Sequence, residues 1–109
     1  MPSYLTRFNY TPETWNAMIE RPEDRRKMAQ QIIESVGGKL LGFWYAFGQH
    51  DGYTLWEAPD NVKMASVALA LSSRGAMSSQ DTVVLLTVEE TLEALKGAKQ
   101  LPYHRPGQG

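Results

Sequence analysis

Residues 39–58, KLLGFWYAFGQHDGYTLWEA, constrain the fold more than any other part of this chain. The stretch holds Phe43, Trp44, Tyr45, Phe47, Tyr53 and Trp56, and aromatic side chains favour the half-buried surface of a pleated strand. Gly48-Gln49 fits a two-residue hairpin turn with glycine in the first central position, which predicts strands over residues 39–47 and 50–58. That register sets Phe47 opposite His50, Tyr45 opposite Gly52, Phe43 opposite Thr54 and Leu41 opposite Trp56. One face of the hairpin then carries Phe43, Tyr45, Phe47 and Trp56, and the other carries Trp44, Tyr53 and Leu55. A single molecule does not comfortably leave apolar surface of that breadth in water, so both faces call for a cover.

The flanking sequence supplies the covers. Tyr4, Thr6, Phe8 and Tyr10 alternate along a first strand. Thr11-Pro12-Glu13 then gives an N-cap, a proline at the first helical position and an acid in the first turn, so a short helix should run to Glu20. Arg21 precedes Pro22 and is biased away from helical geometry, which breaks the helix there. A second helix follows, with Met28, Ala29, Ile32, Ile33 and Val36 as its buried stripe and Gly37-Gly38 as its stop. Pro59-Asp60 ends the third strand and caps a helix over residues 61–74, apolar around most of its girth and therefore expected to be well buried. Residues 81–88 read as the fourth strand. Thr87 and Glu90 stand at capping-box spacing ahead of a short last helix.

The order strand, helix, strand, strand, helix, strand is the split βαβ pattern of the ferredoxin-like α+β fold, with an antiparallel four-stranded sheet. A chain of 109 residues supports one core. Residues 1–98 are expected to form the domain. Residues 99–109 form a tail without periodicity, read as an ordered surface tail, with packing on a partner chain as the alternative. Helices can cover one sheet face only, and the simplest cover for the other is a second identical sheet related by a two-fold axis.

Gly37-Gly38-Lys39-Leu40-Leu41-Gly42-Phe43, then Gly48-Gln49-His50-Asp51, then Glu57-Ala58-Pro59-Asp60 resemble the GYD-domain family, as does the helix break Arg21-Pro22-Glu23-Asp24-Arg25. The likeness covers roughly residues 3–92. It departs at His50, where the family usually carries tyrosine. The resemblance implies a dimeric α/β barrel, in which two ferredoxin-like sheets face each other around a central cavity. It names no reaction. Related barrels include cofactor-free oxygenases, isomerases, cyclases, haem enzymes and amino-acid-sensing domains.

Several residues are candidates for chemistry. His50 can move a proton near neutral pH, and Asp51 and Tyr45 are its expected polar support. Adjacent strand residues point to opposite faces, so a carboxylate from another strand or the partner chain would have to orient His50. Phe43, Phe47 and Trp56 are expected to line an apolar cavity for a small apolar or aromatic molecule, on the face that looks into the barrel. Arg7 and Glu57 fall on the two central strands and are expected to form an ion pair; alternatively Arg7 anchors a ligand carboxylate. His104 lies in the tail. The functional expectations are a cofactor-independent isomerase, cyclase or oxygenase, a non-catalytic ligand-binding or sensing module, or a structural homo-oligomer.

Other classes have little support. Eleven basic and twelve acidic residues give a net charge of −1, which offers no field to attract nucleic acid. There is no cysteine, and the two histidines are far apart, so no metal or cofactor ligand set is recognisable. No apolar run approaches the ~20 residues of a membrane span. A cytoplasmic homodimer acting on a small molecule is therefore the expectation.

Overall fold

The structure is a computed structural model and describes residues 1–107. Its elements are β1 (Ser3–Tyr10), α1 (Pro12–Glu20), α2 (Arg25–Ser35), β2 (Lys39–Tyr45), β3 (Gly52–Glu57), α3 (Asn61–Ser72), β4 (Met77–Leu85) and α4 (Val88–Ala98). The four strands form one sheet in the order β2-β3-β1-β4, antiparallel at every pairing. This is the α+β, ferredoxin-like arrangement.

Local chemistry sets the boundaries. Thr11 caps α1 by accepting from the Thr14 amide, with Pro12 behind it in the first turn. Asp24 caps α2 and Asp60 caps α3 in the same manner. Thr87 and Glu90 close a reciprocal capping box on α4. Because Thr87 serves as that cap, β4 ends at Leu85 rather than at Val88, and it begins earlier than expected, at Met77. Gly37 ends α2 in the left-handed region at φ +84°, which glycine adopts without strain.

The core lies between the sheet and the helices. Tyr4, Thr6, Phe8 and Tyr10 point inward from β1, Thr54 and Trp56 from β3, Ile33 from α2 and Val67 from α3, all buried. The Trp56 indole donates to Thr6 Oγ1 at 2.9 Å, and that hydroxyl also shares a 2.9 Å hydrogen bond with Thr82. The space that a side chain at Gly52 would need is taken by the Phe8 ring.

Five expectations need correction. The face carrying Phe43, Thr54 and Trp56 does not look into an open barrel; the helices cover it. The bare face is the opposite one, with Leu5, Arg7 and Asn9 on β1, Tyr53 and Leu55 on β3, Trp44 on β2, and Asp81 and Val83 on β4. The hairpin keeps the expected pairs Tyr45–Gly52 and Phe43–Thr54, but β2 bulges at Leu41, so Leu40 rather than Leu41 faces Trp56. The strands also stop at Tyr45 and Gly52. Phe47 sits in a wider loop, 90% exposed, and has no His50 opposite it. Arg7 does not pair with Glu57, because the register places Tyr53 and Asp81 at its sides. Finally, α3 is not buried around its girth: Val62 is 73% and Leu69 70% exposed, since only one side of the helix meets the sheet.

Every residue of α4 is exposed. The helix leaves the end of β4 as an arm, and the chain measures 62 × 33 × 22 Å. Its radius of gyration is 18.0 Å, against about 13 Å for a compact domain of this length.

Candidate functional site

The bare face of the sheet has an apolar end and a polar end. At the polar end, Arg7 lies between two neighbouring strands. Its Nε donates to Asp81 Oδ1 at 2.9 Å and its Nη2 to Oδ2 at 2.7 Å, a two-pronged pair. The Asp81 carboxyl is held below its ordinary value, foremost by the hydrogen bond from Arg7 and also by the charges of Arg7 and His50. The Arg7 guanidinium is correspondingly raised by Asp81. Two of its five N–H donors are used here, leaving others free for a second anion. Two residues along, Asn9 donates to Ser79 Oγ at 2.9 Å and accepts from the Asp51 amide at 2.8 Å.

His50 joins this cluster from the loop between β2 and β3. Its ring stands edge-on to Tyr53, with centroids 5.8 Å apart and planes at 79°. Its Nδ1 is shielded from solvent and makes no hydrogen bond. Desolvating a ring nitrogen without a partner is costly, so this atom is either an unused acceptor or a donor awaiting one. The arrangement offers an imidazole, a phenol, a guanidinium and a carboxylate on one exposed surface, a set suited to holding an acidic group and moving a proton.

Asp51 and Tyr45 stand elsewhere. Asp51 Oδ2 accepts from the Tyr10 amide at 3.0 Å and from the Trp15 indole at 3.2 Å, tying β1 and α1 to the loop. The Tyr45 hydroxyl lies 3.4 Å from that of Tyr10. Burial raises the Tyr10 phenol above its ordinary value, and the Tyr45 hydroxyl adds to the shift. Phe8, Tyr10, Trp15, Phe43 and Tyr45 form a continuous aromatic cluster. Thus the expected trio is divided: His50 faces the bare side, and Asp51 and Tyr45 support the helix side.

Phe43 and Trp56 do line a cavity, although it lies within one chain, between the sheet and helices α2 and α3. Its volume is about 40 Å³, and Thr6, Thr54, Thr82, Gln80 and Arg25 are among its polar lining residues. Gln80 Oε1 is buried there without a partner, while its amide donates to the Ala68 carbonyl and Ser72. A space of this size holds water, not a metabolite. Phe47 lines neither site.

Sequence reasoning missed Asp81, Tyr53, Asn9 and Gln80 as site residues. Asp81 was detectable in principle, because pairing the fourth strand with the first sets it directly beside Arg7. Tyr53 stood on the face assigned to packing. Among the described residues no three His, Asp or Glu side chains group closely enough to hold a metal ion, and no helix is long and apolar enough to cross a membrane.

The class this defines is a ferredoxin-like α+β domain that covers one sheet face with its own helices and leaves a titratable cluster on the other. The chain belongs to the GYD domain family, whose family model matches residues 4–95. Among solved structures it is similar to protein Atu4242 from Agrobacterium tumefaciens, at 12% identity and a TM-score of 0.52, covering 81% of this chain and 94% of that one. An uncharacterized NIPSNAP domain protein from Burkholderia xenovorans aligns at 16% identity and a TM-score of 0.49, covering 81% and 95%. No curated protein matches the chain.

Proposed function

We propose that the protein is a small-molecule-handling homodimer, in which two bare sheet faces close into an α/β barrel and the polar ends of those faces contribute to one enclosed site. The observation that carries this is the shielded, unpartnered Nδ1 of His50 beside Tyr53, on the same uncovered face as the Arg7–Asp81 pair. The ligand class is a small apolar or aromatic molecule with an acidic group. Arg7 would anchor that group through its remaining donors, and Leu5, Leu55 and Trp44 would supply apolar walls. Proton transfer by His50 would make the protein a cofactor-independent isomerase, cyclase or oxygenase; without it the same site only binds or senses. Cytoplasmic residence belongs to the same proposal and agrees with a chain that has no cysteine.

A second reading places the ligand between the sheet and helices α2 and α3. The orphaned Gln80 Oε1 in the small cavity favours it. It requires α2 to move outward, since the cavity as it stands is far below the ~300 Å³ of a ligand pocket.

A panel of small aromatic carboxylic acids, titrated against the labelled protein and followed by NMR, separates the two. Shifts centred on Arg7, His50 and Tyr53, abolished by Arg7→Ala in a protein of unchanged mass in solution, support the first. Shifts centred on Gln80, Thr6 and Phe43 support the second. For any substrate found, a pH-rate profile that loses one limb in His50→Gln assigns proton transfer to His50; an unaltered profile removes it from the chemistry.

A further inference from the structure

The arm formed by α4 presents apolar side chains that the described residues of its own chain leave uncovered. An isolated helix of 11 residues is marginal in water, since stable free helices need roughly 12–15 residues even when rich in alanine. Something must therefore hold α4, and nothing among the described residues of its own chain does: every residue of the helix is exposed. What it presents is apolar. Val88 is 72%, Leu92 53% and Leu95 62% exposed, and their spacing of four and three residues makes one seam along the helix. Leu86, Leu101 and Tyr103 extend the apolar surface at its two ends.

The charges choose the occupant. The first half of α4 carries Glu89, Glu90 and Glu93, and the second half carries Lys96 with Lys99 just beyond it. This pattern is complementary to itself when two copies run antiparallel, and self-repelling when they run parallel. A membrane-surface helix would instead be rich in Lys and Arg along its polar face.

We infer that two chains associate through an antiparallel, two-fold α4–α4 pair, with Leu92 of each copy packed on Leu95 of the other and Glu89 of each opposite Lys96 of the other. Such an isologous contact closes on itself. It rests on the arm alone and does not depend on the ligand reading or on pairing through the sheet faces.

The test is a charge swap on the full chain, with dimer dissociation constants measured by sedimentation equilibrium. Glu89→Lys and Lys96→Glu should each weaken association by about threefold or more, because each places like charges at both symmetric pairs. The double variant Glu89→Lys/Lys96→Glu should recover wild-type affinity. Leu92→Asp/Leu95→Asp should abolish this association and leave thermal unfolding of the sheet domain unchanged, since no residue of α4 is buried against the described remainder of its own chain. With sheet-face pairing removed by Leu55→Asp, a double swap no better than the two single changes, a monomeric parent, or a Leu92→Asp/Leu95→Asp variant that dimerises as well as its parent overturns the inference. Leu55→Asp on the bare sheet face is the control. It breaks sheet-face pairing without touching α4, so failure of either contact is read separately.

Discussion

Replacing Asp51 by alanine should cost stability before it costs any chemistry. Asp51 Oδ2 accepts two hydrogen bonds, one from the Tyr10 amide at 3.0 Å and one from the Trp15 indole at 3.2 Å. The β-ladder gives the Tyr10 amide no alternative there, because the register between β1 and β4 shifts at Asn9 and Tyr10. Hydrogen bonds to a charged acceptor are each worth roughly 1.5–3 kcal/mol. Partial solvent access lets water replace some of this, so Asp51→Ala should lose about 2–4 kcal/mol. Asp51→Asn retains an oxygen that can face both donors and gives up only the charge, for a loss of about 1 kcal/mol. The assay is urea unfolding followed by tryptophan fluorescence, in which the midpoint should fall in the order wild type, Asn, Ala at constant slope. For a domain near this size the alanine change corresponds to a melting temperature about 8–16 °C lower. If Asp51→Ala unfolds within 0.5 kcal/mol of wild type, the bracing role argued for this carboxylate is wrong. If it also destroys a substrate turnover at unchanged stability, Asp51 is catalytic after all.

Two further outcomes follow from the same geometry. Thr6→Val keeps the shape of the residue but removes the acceptor of the buried Trp56 indole, which should cost about 1–3 kcal/mol; adding Trp56→Phe should cost less than the two separate losses predict, read from a double-mutant cycle of unfolding free energies. The depressed Asp81 carboxyl gives a pH dependence whose sign is fixed. Its folded value lies below the unfolded one, so the stabilisation is complete above the unfolded value near 3.8 and is lost as pH falls through the lower folded value. Because both partners of this pair are substantially exposed, the contribution should stay below about 1 kcal/mol. Arg7→Ala should bring the Asp81 titration, followed by carboxyl NMR, back up toward its ordinary value; an unmoved titration would show that Arg7 is not the cause.

The path of the backbone was legible because each boundary is written in a local signal. Thr11-Pro12, Arg21-Pro22, Gly37, Asp60 and Thr87 act on their own neighbours, and a cap or a break needs no knowledge of the rest of the fold. The site was less legible. Which face of a hairpin turns toward the helices is decided by what those helices bring, and here both faces are aromatic, so alternation alone could not choose. The bulge at Leu41 added a second difficulty, since one extra residue shifts Leu40 into the place expected for Leu41. His50 and Arg7 were singled out for their chemistry, but grouping Arg7 with His50 and Tyr53 depends on β3 lying beside β1, and adding Asp81 depends on β4 lying on the other side of β1. That pairing spans more than seventy residues of sequence and leaves no mark in any short window.

The bulge at Leu41 also bears on how this protein can fail. β2 is an outer strand, and an interrupted outer strand that begins at Lys39 is a poor template for another chain to hydrogen-bond along. The other outer strand, β4, is nine residues long and contains Val83-Val84-Leu85 without a charge among them. Lateral growth of the sheet can therefore proceed from one side only. Two molecules joined through their β4 edges would each present a bulged β2 at the far end, and the ribbon would stop at two copies instead of extending into a fibre.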